Sequence, residues 1–510
     1  MTGSVTAPPA GSLLADLLSS AAARWPDRPA VTGEGRTWSY RELAAAAGSF
    51  AARLSERGLR RGCRLLIHLP DSVLLPALVY GSARLGVAFS VLNEQVRGTH
   101  LEHVLDDSEP ALLISHSAQA RGMAKSRGIT AIDGAAAYRD ATGSASPADG
   151  IQASPLGVDI ACLIYTSGTT ALPKAVVSTQ EQVVVSARLI QSVLGYRHDD
   201  VVYCPLPLSF DYGLYQLFLA TLAGAHVWLA RANEIGPPLL NGLARSGGTV
   251  LAAVPSVAQA LARLLRRSGG RALPLRKLTS TGAAMPAETL VTLREFLPDL
   301  RVQLMFGLTE CKRATVMPED GDLIRPGSAG RALPGTEVYA ADPDGCRLPP
   351  GEIGEIVVRG PNVMAGYWRR PELTAQRFPR AEGLLPELRT GDYGWLDDEG
   401  YLYVSGRRDD LYKENGFRVS CTEVEAAARR VDGVDSAAVL APAGTAPARL
   451  FVTGSLDAAE VLRAMRRDLE EFKVPGVCWV LDELPLTANG KVDRTRLAAV
   501  AEQEEATHGR

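Results

Sequence analysis

The 510-residue sequence predicts an α/β protein. It should have a large N-terminal part of helix-covered, mostly parallel sheets with a small β-structured portion, then a small mobile α+β domain. Three observations predict this. Short apolar runs recur at 65–67, 111–114, 161–165, 201–204, 227–229, 250–254 and 302–305, with helical patterns between most of them. Apolar strands alternating with helices are the signature of parallel sheets covered on both faces. From Gly351 the pattern changes to short strands set off by glycine turns, at 355–359 and 401–404. A polar joint, Arg407-Arg408-Asp409-Asp410, then precedes helices at 422–430 and 458–470 and strands at 437–440, 450–453 and 477–481. Few contacts should cross such a joint, which predicts a core domain over 1–408, a lid over 409–510 and a hinge near Asp409.

The individual elements have local causes. Ser39-Tyr40-Arg41-Glu42 is a capping box, and Leu43, Ala47, Phe50 and Leu54 follow at helical spacing until Gly58 stops the helix. The run at 65–67 is closed by Pro70, and the Ala/Gly/Ser/Pro-rich stretch 135–155 predicts a loop before the strand at 161–165. The tail from Glu502 to Arg510 is expected to fray. A chain of this length exceeds one hydrophobic core. With 46% hydrophobic and 22% charged residues the composition is that of a soluble globular protein. A net charge of −3, with no basic run interleaved with aromatics, argues against a nucleic-acid surface. No apolar run reaches the roughly 18 residues of a membrane span, and the uncharged opening 1–11 does not resemble a signal peptide. Seven scattered cysteines without a Cys-x-x-Cys fit reduced thiols in a cytoplasm.

Several motifs carry chemistry. Tyr165-Thr166-Ser167-Gly168-Thr169-Thr170-Ala171-Leu172-Pro173-Lys174 follows a buried strand. Such a loop suits polyphosphate: backbone N–H groups and hydroxyls donate to phosphate oxygens, and the lysine adds a point charge. It has neither Walker nor Rossmann glycine spacing, and in isolation a polar turn would account for it. Phe210-Asp211-Tyr212-Gly213 places an acid beside aromatics, as a helix cap also would. Ser280-Thr281-Gly282-Ala283-Ala284 has side chains small enough for a flat ring to approach the backbone, or is an ordinary small-residue turn. Met305-Phe306-Gly307-Leu308-Thr309-Glu310 follows an apolar run; the next pair, Lys312-Arg313, reads as surface charge. Leu388-Arg389-Thr390-Gly391-Asp392, the charged linker 406–418, and a glycine-containing turn with Lys491 complete the set. His100 and His103 share a helix face but have no third metal ligand nearby, and read as surface residues.

In this order, from 165 to 494, the motifs resemble those of the AMP-forming adenylating enzymes, the superfamily of acyl-CoA synthetases, luciferases and peptide-synthetase adenylation domains. The resemblance covers nearly the whole chain. The first loop is similar to Thr-Ser-Gly-Thr-Thr-Gly-x-Pro-Lys-Gly, with Ala171 and Ala175 where glycines are usual. By this resemblance Thr166, Ser167, Gly168, Thr169, Thr170 and Lys174 hold the ATP phosphates, while Gly282, Ala283 and Ala284 back the adenine. Phe306 and Gly307 complete the adenine site, Thr309 donates to the α-phosphate, and Glu310 is the Mg²⁺ ligand. Asp392 accepts both ribose hydroxyls, Arg407 contacts ribose or phosphate, and Gly416 faces the site during thioester formation. Lys491 is the implied catalytic lysine, bridging the substrate carboxylate and the α-phosphate; Thr166, Lys174 and Glu310 complete the catalytic group.

The implied reaction has two halves. A substrate carboxylate attacks the α-phosphorus of Mg·ATP, giving an acyl-adenylate and pyrophosphate with no protein nucleophile. The lid then turns about Asp409, withdraws Lys491 and admits a thiol. In peptide-synthetase domains the acid at the Asp211 position pairs with an α-ammonium, although some acyl-CoA ligases also carry Phe-Asp-Tyr-Gly there. The implied pocket comprises Asp211, Tyr212, Tyr215, Ala252, Thr279, Thr281, Met305 and Ala314; Tyr212, Tyr215 and Met305 narrow it toward a compact amino acid such as proline. No phosphopantetheine-bearing carrier segment follows Arg494. The expectation is therefore a cytoplasmic, stand-alone amino-acid adenylation enzyme that loads a separate carrier protein in nonribosomal peptide or other secondary metabolism. The alternatives are an acyl- or aryl-CoA ligase, with CoA as thiol and Asp211 as a mere cap, or a nonenzymatic nucleotide-binding protein. Ala171 and Ala175 motivate the last, and the retained Lys491, Glu310 and Asp392 argue against it.

Overall fold

The computed structural model describes residues 13–143, 154–166, 172–230, 237–381, 384–407, 411–414, 417–467, 469, 471–487 and 490–508. Ser167, Gly168, Thr169, Thr170, Ala171, Asp409 and Gly416 lie outside them. The capping box forms as its sequence requires: Glu42 Oε2 accepts the Ser39 N–H at 2.7 Å, Ser39 Oγ accepts the Glu42 N–H at 3.2 Å, and helix Tyr40–Glu56 begins there.

The apolar runs become strands of two large sheets. The first has seven strands, in the order Gly366–Tyr367, Lys174–Thr179, Ile160–Thr166, Ala88–Leu92, Arg64–His68, Leu112–Ser115 and Thr130–Ile132. The five from Ile160–Thr166 to Thr130–Ile132 are parallel. The chain leaves Arg64–His68 for a neighbour on one side and returns to Leu112–Ser115 on the other. That reversal opens a crevice at the carboxyl ends of these two strands.

The second sheet has nine strands, in the order Arg331–Ala332, Thr315–Val316, Arg301–Phe306, Lys277–Ser280, Val250–Ala253, Val201–Cys204, His226–Leu229, Pro29–Gly33 and Arg36–Ser39. It is parallel from Arg301–Phe306 to Pro29–Gly33. One apolar core, running from Leu14 to Leu333 in sequence, joins the two sheets and their helices. The predicted β-rich portion is a four-stranded antiparallel sheet with its own cluster around Val338, Ile356, Val358, Leu388 and Leu402.

The small C-terminal α/β domain has a separate core built on Val419, Val424, Val439, Leu450 and Val461. Its tail differs from expectation. Residues from Glu502 on continue a helix, Arg494–His508, instead of fraying, because Leu497 and Ala501, one turn apart, bury against Ala438 and Phe451. Among the described residues no cysteine is in a disulfide, and no helix is long and apolar enough to cross a membrane.

Candidate active site

Strands Val201–Cys204, Val250–Ala253, Lys277–Ser280 and Arg301–Phe306 end along one edge of the nine-stranded sheet. The segments that follow them build the site, as expected at the carboxyl ends of parallel strands. After Cys204 the chain passes Pro205 to Phe210 and enters helix Asp211–Ala223. Gly213 permits that entry, since a Cβ there would sit 2.3 Å from the Pro207 carbonyl oxygen. Asp211 does not cap this helix: it is the first helical residue, and Phe210 occupies the N-cap. The carboxylate is 4% exposed; Oδ1 accepts from Thr309 Oγ1 at 3.4 Å, and Oδ2 lies 3.5 Å from Arg313 Nη1.

The loop after Phe306 turns back on itself. Cys311 N–H donates to the Leu308 carbonyl and Ala314 N–H to the Phe306 carbonyl, and Lys312 takes a left-handed φ of +61°. Gly307 is required for this path, because a Cβ there would meet the Lys312 carbonyl oxygen at 2.2 Å. The reversal turns Lys312 and Arg313 inward. They are 0% and 4% exposed, which corrects the surface-charge expectation. Sequence spacing alone carried no sign of the reversal.

The Arg313 guanidinium lies 4.5 Å from the Tyr212 ring centroid, and Lys312 Nζ lies 5.6 Å from that of Tyr215. Lys312 Nζ has no hydrogen-bond partner among the described residues. Burial lowers its pKa, while the charges of Asp211, Cys162 and Glu310 oppose that. Tyr212 Oη donates to the Thr279 carbonyl at 2.7 Å. Ala252 and Thr279 are register partners, and Thr281, Met305 and Ala314 are buried with them. Ser280 and Thr281 hydroxyls are also buried without a partner among the described residues.

On the other side of the same loop stand the groups the motifs assign to nucleotide. Lys174 Nζ is 3.8 Å from Glu310 Oε1 and 4.0 Å from the Tyr367 ring centroid, and Tyr367 Oη donates to the same Glu310 oxygen at 2.7 Å. Desolvation lowers the Lys174 pKa, with Glu310 opposing it. Thr166 and Lys174 are cross-strand partners. His103, expected on the surface, is half-buried and donates from Nε2 to the Pro173 carbonyl at 2.8 Å. Asp392 is buried, with Oδ1 accepting from Arg407 Nε at 3.2 Å; burial raises its pKa, and Arg407, Arg377 and Lys491 oppose the rise.

The C-terminal domain delivers Lys491 to this cleft. Ser256 Oγ donates to the Gly490 carbonyl at 2.9 Å, and the Lys491 ammonium lies 5.9 Å from the Phe210 ring centroid. Its Cε would be 3.3 Å from a Cβ at Gly282, whose φ of +99° is itself glycine-specific. Desolvation lowers the Lys491 pKa, with Arg407 and Arg313 adding to this and Asp211 and Asp392 opposing it. Phe306, Gly307 and Thr309 are half-buried, while Ala283 and Ala284 are exposed along the opening.

Two supporting residues escaped the sequence reading. Tyr367 orients Glu310, and fully buried Asn362 holds the loop, donating from Nδ2 to the Cys311 and Arg313 carbonyls at 3.2 and 2.8 Å. Asn362 stands in no motif, and Tyr367 lies in Gly366-Tyr367-x-x-x-Pro371-Glu372-x-Thr374, a segment that resembles a structural one of the family and carries no stated chemistry. Replacing Asn362 by leucine leaves both carbonyls without this donor and should destabilise the protein by about 2–4 kcal/mol. Calorimetric unfolding with adenylate formation measured in parallel checks this, and an unchanged melting temperature would refute it.

The cleft gathers Asp211, Lys174, Glu310, Asp392 and Lys491 along one edge of the nine-stranded sheet, an arrangement suited to holding a nucleotide beside a carboxylic acid. The AMP-binding enzyme pattern matches residues 18–368 and the AMP-binding enzyme C-terminal domain matches 423–491; the chain belongs to this family. It is 31% identical to an L-proline--[L-prolyl-carrier protein] ligase of Pseudomonas fluorescens, over 96% of this chain and 99% of that one. VinN in complex with L-aspartate is 38% identical with a TM-score of 0.71, covering 77% of this chain and 98% of that one. ATP-bound MatB from Rhodopseudomonas palustris is 28% identical with a TM-score of 0.84, covering 95% and 98%. The chain is an AMP-forming acid–thiol ligase.

Proposed function

We propose that the chain activates an amino acid with a second acidic group, of the aspartate type, and passes it to the phosphopantetheine thiol of a separate carrier protein. The observation that carries this reading is the buried trio Asp211, Lys312 and Arg313. Two cations facing one carboxylate leave excess positive charge in a low-dielectric pocket, which is costly unless a ligand compensates it. An α-ammonium would pair with Asp211, and a side-chain carboxylate with the Arg313 fork and Lys312. Proline fits the narrow walls but brings an ammonium and no side-chain carboxylate, leaving Asp211 alone against three cations, so the dicarboxylic reading is preferred. The similarity to VinN, whose complex holds L-aspartate, and to the prolyl-carrier ligase supports an amino acid and a carrier protein.

The chain's groups then divide the work. Lys174 and the loop at 166–174 position the ATP phosphates, Phe306 stacks on adenine, and Asp392 accepts from the ribose hydroxyls. Glu310 fits Mg²⁺: it is a buried hard-oxygen donor on the phosphate side, held at one oxygen by Tyr367. Bound there, the ion would neutralise phosphate charge. Lys491 offsets the charge that builds between the incoming carboxylate and the α-phosphate as pyrophosphate leaves. After that step the domain beyond Asp409 turns and removes Lys491, opening the way for the thiol. The reading places this work in a cytoplasm, where the scattered thiols stay reduced.

ATP–pyrophosphate exchange over the proteinogenic amino acids, their dicarboxylic homologues and a panel of fatty and aryl acids tests it. Exchange should centre on aspartate-like acids and fall by about 10²-fold or more in Asp211→Ala, which leaves the ammonium and the two cations uncompensated. Exchange only with acids lacking an amino group would move the protein to the CoA-ligase branch. Transfer of the labelled acyl group to a holo carrier protein, but not to CoA, is the expected second half.

A further inference from the structure

The crevice at the reversal of the seven-stranded sheet holds a second cavity, of about 290 Å³, lined by His68, Glu94, Arg97, Gly98, Ser117 and Met123 among others. His68 and Ser115 are register partners at the last positions of their strands, and the ring's Nδ1 lies 2.9 Å from Ser115 Oγ. That oxygen already accepts the Ser117 N–H at 3.1 Å. Its own proton can therefore go to Nδ1, leaving Nε2–H as a donor. His68 is 3% exposed, yet Nε2 has no partner at hydrogen-bonding geometry among the described residues. Burial lowers the ring's pKa, and the carbonyls of Glu94, Val96 and Asn93 act the other way.

Two helices start at this cavity. Gly98–Ser108 has Arg97 at its N-cap with no side-chain cap bond, and Ala118–Ser126 is capped by Ser117 at the Ala120 N–H only. First-turn N–H groups have no partner within their own helix, and they carry the positive end of its dipole. We propose that this cavity is a ligand site, separate from the adenylation cleft, for a free hydrogen-phosphate ion. His68 Nε2–H, the two helix starts and Arg97 donate to the phosphate oxygens. The Glu94 carboxylate and the neighbouring carbonyls accept the phosphate's own O–H, a proton that sulfate lacks at neutral pH.

The test is titration of inorganic phosphate into the full-length protein saturated with AMP, read by calorimetry. One saturable equivalent is expected, weakened about tenfold or more in both His68→Gln and Arg97→Ala. Arg97 is exposed, so its variant folds even where the buried histidine's does not. Lys174→Ala should bind phosphate as tightly as the parent, and sulfate should compete poorly. No saturable binding at ~1–10 mM phosphate would overturn the proposal, as would retention in both variants. Loss in Lys174→Ala would assign the phosphate to the adenylation cleft, and equal competition by sulfate would remove the role of the acceptors.

Discussion

Replacing Lys491 by alanine should slow adenylate formation by about 10²–10³-fold, the usual loss when one preorganised charge-stabilising donor is removed. Its ammonium lies within electrostatic reach of both Asp211 and the buried Asp392, and the proposed function brings the carboxylate of the acid and the α-phosphate of ATP together beside it. Those two negative groups repel each other until a cation lies between them. The effect should be confined to the first half-reaction. Given preformed acyl-adenylate, the variant should transfer the acyl group to the thiol at the parent rate, because the lysine has left by then. Single-turnover measurement of each half separates the two. Equal slowing of both halves would mean that the substitution damaged the seating of the Gly490 turn on Ser256.

Arg313→Met should have the second large effect. It keeps much of the side-chain bulk over Tyr212 and removes one buried charge. Truncating one member of a buried charge pair costs about 2–5 kcal/mol, much of it from the partner left behind. The kcat/KM for the dicarboxylic amino acid should accordingly drop by about 10²-fold or more, mostly through KM. Lys312→Met added to it should raise turnover of neutral amino acids of similar size, since no uncompensated cation then remains. An exchange profile unchanged by the single substitution would remove Arg313 from acid recognition. Loss of activity toward every acid together with a lower melting temperature would assign the pair to loop stability instead.

The fold was legible because its signals are local and redundant. The run at 201–204 is strand Val201–Cys204 to the residue, and the Ser39 capping box opens its helix where the sequence places it. Asp211, Glu310, Asp392 and Lys491 were legible as chemistry, and the structure brings them to one cleft. Lys312 and Arg313 were not, for a physical reason. Two adjacent cations ordinarily stay in water, and only the left-handed turn at Lys312, made possible by Gly307, drives both inside. Asn362 and Tyr367 act through the three-dimensional return of a distant strand, which no spacing in the chain announces. The helical tail was missed because its anchor, Leu497 and Ala501, is matched by Phe451, far away in sequence.

The reversal from Gly307 to Arg313 links residues that the proposed function assigns to the two reactants. Glu310 stands beside Lys174, Thr309 and Arg313 beside Asp211, and Asn362 clamps the backbone they share. Whatever one reactant contributes to fixing this segment, the other need not supply again. On the proposed function, acid and ATP should therefore bind cooperatively, and thermodynamic reciprocity makes the factor by which each tightens the other the same. Substrate choice should then also set nucleotide affinity: an acid that fails to satisfy the two cations is expected to leave ATP held less firmly as well.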